Sequence, residues 1–72
     1  MTAAFKKIQH LVERSRAAQS KRDCEGAYRS LIQAVKAYGF ALGAGTLSPD
    51  EGRIQAQLMD CIDEVFDGCI GR

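Results

Sequence analysis

The sequence predicts an all-α fold, an antiparallel three-helix bundle with helices at about 2–20, 23–42 and 49–67, and three observations carry that prediction. Apolar residues recur at i, i+3, i+4 and i+7 in three separate stretches. Each stretch opens on a residue suited to capping a helix: Thr2, Asp23 and Ser48. The stretches are parted by a short polar link at Ser20-Lys21-Arg22 and by a glycine-bearing one from Gly43 to Leu47.

Thr2 opens the first helix, and no Gly or Pro interrupts the chain from there to Ser20. Phe5, Ile8, Leu11, Val12, Ser15 and Ala18 share one face. Lys7, His10 and Arg14 share the opposite one, so this helix is amphipathic with a basic outer face. Asp23 opens the second helix. Its stripe is Cys24, Ala27, Tyr28, Leu31, Ala34, Val35, Tyr38, Ala41 and Leu42, wide enough for a central helix packed against two neighbours. Gly39 and Gly43 each cost about 1 kcal/mol in a helix, so its end is expected to fray. The third helix has the strongest start: Ser48 as N-cap, Pro49 at the first position, and Glu51 placed to reach back and close a capping box. Its core stripe is Ile54, Leu58, Cys61, Ile62, Val65 and Cys69, and Gly68 and Gly71 mark its end.

Seventy-two residues form one domain, residues 1–72, with no room for a second core. A chain of this size buries only ~60% of its unfolded surface. A deep polar pocket is not expected, and no enzymatic function, cofactor or metal site is read from the residues. Three Cys without a C-x-x-C pair argue against a disulfide framework or a zinc ribbon. All three fall in apolar stripes, where Cys acts as a small hydrophobe, and Cys69 is the one placed to cross-link dimers on oxidation. A thiol nucleophile needs a base, and the one His, His10, lies on the solvent face of the first helix. No apolar run approaches a membrane span, and a docked amphipathic helix is disfavoured by the lack of Trp. The expectation is a small cytoplasmic protein that does not engage membrane.

Residues 22–35 resemble the second half of a tetratricopeptide-type hairpin, in which an acidic turn leads into a helix with Ala at two positions seven apart, here Ala27 and Ala34. With a third helix covering the hairpin, the chain resembles the MIT (microtubule-interacting and transport) domain over roughly residues 5–66. The similar residues are Leu11-Val12, then Asp23, Glu25, Ala27, Arg29 and Ala34-Val35, with Ile54, Leu58, Ile62 and Val65 matching by spacing. Gly26, Gly39 and Gly43 depart from the pattern. The resemblance implies a three-helix bundle that binds short tail motifs beside its third helix, with Ile62 on the reading edge.

The near-neutral total of +1 hides an asymmetry. Residues 1–36 hold eight basic and three acidic side chains, net +5, and residues 37–72 hold two and six, net −4. Asp60, Asp63, Glu64 and Asp67 line one face of the third helix. They read either as a solvated face or as a strip that orients a basic partner; without converging loop oxygens they make a poor cation cage. Met59, Ile62, Phe66 and Ile70 form a second apolar stripe beyond what the core needs, and Phe40 points away from the stripe of its own helix. These five residues are the candidate partner-binding surface. The occupant is a helical or basic segment of another protein, a second copy forming a homodimer, or the chain's own loop at Leu47. The alternative function is nucleic-acid binding through Lys7, His10, Arg14, Lys21 and Arg22 on the basic face of the first two helices. That face has no interleaved aromatic, and the anionic third helix opposes it.

Overall fold

Thr2 and Asp23 both do the capping their residue types allow. The Thr2 hydroxyl accepts from the Phe5 N–H at 3.1 Å and starts α1, Ala3–Ser20. The Asp23 carboxylate accepts from the Gly26 N–H at 3.0 Å and starts α2, Cys24–Ala44. A single 3-10 turn, Pro49–Glu51, leads into α3, Arg53–Val65, and a wider π turn, Phe66–Ile70, continues it. These elements come from a computed structural model that describes the backbone of residues 1–70 and the side chains of residues 1–69. The fold is all-α, with no strand among the described residues.

Three boundaries differ from those the sequence predicts. The second helix runs past Leu42 to Ala44, because Gly39 and Gly43 sit in it without interruption and the stop comes at Gly45. Gly45 takes a left-handed φ of 66°, and the Thr46 N–H then reaches the Ala41 carbonyl at 3.1 Å. The third helix does not begin as a regular α-helix at Pro49: its first turn is tightened, with the Glu51 N–H on the Ser48 carbonyl at 3.0 Å. Its end extends beyond 67 through the π turn.

Each helix gives four residues to the apolar core. Phe5, Ile8, Leu11 and Val12 come from α1; Ala27, Leu31, Ala34 and Ala41 from α2; Ile54, Leu58, Cys61 and Val65 from α3. The small alanines of α2 let its neighbours approach closely, and all three helix pairs are in contact. Ser15 is fully buried among them, but its hydroxyl donates to the Ala27 carbonyl at 2.8 Å, so the polar atom is satisfied. The Cys61 thiol lies 3.4 Å from that Ser15 hydroxyl. The molecule measures 37 × 17 × 16 Å. That length is close to the roughly 32 Å of a 21-residue helix such as α2, so the helices lie along the long axis. Among the described residues no helix is long and apolar enough to cross a membrane.

The α2 stripe is narrower than its sequence pattern. Tyr28, Val35 and Leu42 are exposed and Cys24 is exposed too, while the buried set is the one centred on Ala27 and Ala34. The correction has a plain cause: α1 and α3 pack on the alanine side, which is filled by small side chains, and leave the larger neighbouring stripe outside.

Candidate interaction surfaces

Cys24 and Cys69 are bonded to each other, with their Cα atoms 5.6 Å apart. This overturns the expectation that both are unpaired apolar thiols and removes Cys69 as a cross-linker of dimers. Cys61 remains a free, buried thiol. The bond joins the start of α2 to the π turn after α3 and shows which side of α2 faces α3. At 100° per residue, Tyr28, Val35 and Leu42 lie within about 40° of Cys24 on α2. On α3 and its first continuing residue, Met59, Ile62 and Phe66 lie about 140–160° round from Glu64, the residue that pairs with Arg16 of α1, and so on the side of Cys24–Cys69. The two sets therefore flank the same helix–helix junction.

Of the candidate partner-binding residues, Met59 and Phe66 are 54% and 53% exposed. Ile62 is half-buried and packs on the core, so it forms the inner edge of this surface. The side chain of Ile70 lies outside the described residues. Tyr28, Val35 and Leu42 join Met59 and Phe66 to make one apolar surface across α2 and α3. The sequence pattern had assigned them to the core, and their even spacing with the alanine stripe left no signal to separate the two.

Phe40 does not belong to this surface. It lies about 120–160° round α2 from Cys24, Tyr28, Val35 and Leu42, on the side facing α1. There it is 79% exposed and lines two adjoining grooves of about 430 and 520 Å³ between α1 and α2. Both grooves share Lys7, Ala37 and Phe40; the second adds His10 and Lys36. Arg14 and Lys21 continue along the same side, beside Gly26 and Ser30. Thus Lys7, His10, Arg14 and Lys21 are brought together, and Phe40 supplies an aromatic the sequence pattern had placed elsewhere. Arg22 sits at the turn after α1, exposed, with a left-handed φ of 58°.

The acidic strip is split. Glu64 turns towards α1 and pairs with Arg16 at 3.2 Å, an ion pair with both side chains 42% exposed. Such a half-exposed pair contributes at most about 1 kcal/mol. Asp60, Asp63 and Asp67 stay exposed beside the apolar surface. Among the described residues no three His, Cys, Asp or Glu side chains converge on a metal position.

Glu51 is the residue whose importance exceeds its sequence signal. It is buried, at 2% exposure. Its carboxylate accepts from the Ser48 N–H and hydroxyl at 2.9 and 2.7 Å, and from the Thr2 N–H and hydroxyl, both at 2.9 Å. Burial pushes its pKa up, but the Ser48 and then the Thr2 donors outweigh that and bring it from 4.5 down to about 2. The Ser48 half of this site was legible as a capping box; Thr2, 49 residues away, was not. The role is structural: the carboxylate ties the start of α1 to the start of α3. Compared with known proteins, the chain matches no family model, no curated protein and no solved structure.

Proposed function

We propose that residues 1–72 form a single non-enzymatic protein-interaction module, an antiparallel three-helix bundle of the MIT-like kind, which docks a protein partner on the apolar surface of α3. The observation that carries the reading is the grouping of Tyr28, Val35, Leu42, Met59 and Phe66, all large, apolar and exposed, on one side of a very small molecule. Burying a fully exposed side chain of this kind contributes roughly 1.5–3 kcal/mol, so covering these half-exposed ones together supplies a part of the free energy that docking needs. Asp60, Asp63 and Asp67 at the margin favour a partner with basic residues there. The chain directions support the bundle: Thr2 meets Glu51 at one end, while Arg16 meets Glu64 and Cys24 meets Cys69 towards the other. Cytoplasmic thiols are kept reduced, so α3 is fully fastened only in an oxidising setting.

The test uses synthetic amphipathic helices with basic flanks, titrated while backbone amide shifts are followed. Shifts centred on Tyr28, Val35, Met59 and Phe66, abolished by Phe66→Asp with helicity unchanged, are the expected result. Shifts centred elsewhere, or an equal response from Phe66→Asp, would overturn the surface. Ile62→Asp is the weaker test, since Ile62 also packs on the core.

The second reading, nucleic-acid binding, is favoured by one observation: Phe40 stands exposed beside Lys7 and His10, where a base can stack and phosphates can pair. Binding of single-stranded or duplex probes at low salt, with a steep salt slope removed by Arg14→Glu and Lys21→Glu, is its signature. No binding at low salt eliminates it.

A further inference from the structure

The two exposed apolar surfaces differ in relief and in charge, and the differences match. The α3 surface is a ridge: Met59 and Phe66 project from the helix, with Asp63 about 40–60° round from them. The α1/α2 surface is recessed, with Phe40 and small side chains along it and Lys7 and Lys36 lining it. Among the described residues no carboxylate lines either groove. Among the described residues the ion pairs are Arg16–Glu64 and Arg29–Glu25, and Lys7, Lys36 and Asp63 have no ion-pair partner among them.

Resting on the α3 surface as the docking element, we propose that its occupant is a second copy of this chain: the ridge of one copy seats in the α1/α2 groove of the next. Met59 and Phe66 then cover Phe40 and the alanine floor, and Asp63 meets Lys7 and Lys36. Ridge and groove lie on different sides of the molecule, so each docking event leaves one of each free. The contact is heterologous, and association runs on beyond the dimer as an open chain or a ring.

Sedimentation of the disulfide-bonded protein from micromolar to millimolar concentration tests this. The expected mass rises past two chains with concentration, and raising the salt from ~0.05 to ~0.5 M weakens the association several-fold, because the pairs are at the surface while the apolar contact is not screened. Lys7→Glu/Lys36→Glu removes the groove, and Met59→Ser/Phe66→Ser removes the ridge. All four residues are exposed, so helicity should survive. Each variant alone is expected to associate at least about tenfold more weakly than the parent. An equal mixture is expected to form a heterodimer and stop there, because each variant brings one intact surface. A parent that stays monomeric at millimolar concentration, a parent that stops at a closed dimer, or a mixture that stays monomeric while the parent associates would each overturn the proposal. Failure here is distinct from failure of the docking surface: a monomeric parent that still binds helical peptides through Phe66 loses only the second copy as occupant.

Discussion

At one end of the molecule Thr2 and Ser48 enclose the Glu51 carboxylate with four hydrogen bonds; at the other, Cys24 and Cys69 are joined covalently. Both devices hold α3 against the other two helices, and α3 is the element least packed against its neighbours. It has 13 residues against 18 and 21 for α1 and α2, and its packing against either is much less extensive than theirs against each other. A shorter helix has fewer apolar side chains to offset its own ordering, and each end of this one is fastened by polar or covalent means. The chemistries respond to different agents. The polar clasp answers to protons, and the covalent one answers to reductant.

Breaking the covalent end should have the largest effect. The bond closes a sequence separation of 45 residues, which corresponds to about 4 kcal/mol of loop entropy removed from the unfolded chain. Urea unfolding with and without reductant, and of Cys24→Ser/Cys69→Ser, reads this directly. A loss well under ~1 kcal/mol would mean that packing alone holds α3 and would dissolve the comparison. The polar end comes next. Glu51 has a folded pKa of about 2 against an ordinary 4.5, so the folded state binds this proton more weakly than the unfolded chain does. Its contribution is complete above about pH 4.5 and is lost as the pH falls towards 2. Glu51→Gln should lower the melting temperature at neutral pH, and its difference from the parent should close over that acid range. A difference that persists undiminished at the acid limit would place the effect in packing, not in charge.

The ends also differ in how their helices stop. Arg22 after α1 and Gly45 after α2 both take left-handed backbone, at φ 58° and 66°, and in both cases an N–H beyond reaches back five residues, from Asp23 to Ala18 and from Thr46 to Ala41. Only Gly45 does this without steric cost. Gly45→Ala should therefore destabilise by about 1 kcal/mol, and Arg22→Gly should stabilise by up to about the same amount. The smallest change is expected at Gly39, where a methyl group would meet open space and Gly39→Ala should add about 0.5–1 kcal/mol by chemical denaturation.

The helix starts were legible because capping is local. Thr2, Asp23 and the Ser48–Glu51 pair act within three or four residues of where they stand. The core faces of α1 and α3 were legible for a related reason: each has one apolar face, and burial had to select it. Helix α2 has two, one of alanines and one of Tyr28, Val35 and Leu42, and periodicity alone does not rank them. The candidate site inherited that ambiguity. Met59 and Phe66 were identified as surplus to the core, but their companions on α2 were hidden in a stripe assigned to it, and Phe40 was grouped with them although it faces α1.

By itself the sequence determined the all-α class, the caps at Thr2, Asp23 and Ser48, the stop near Ser20, and the opposed charge of its two halves, since all of these rest on neighbours within one or two helical turns. Only the tertiary structure decided which α2 stripe is buried, that Cys24 finds Cys69, that Thr2 completes the Glu51 site, and that Phe40 stands among cations. Those outcomes depend on contacts across 45 or more residues or on the choice between two helix faces, and they arise from how three rods pack, not from any local preference of the chain.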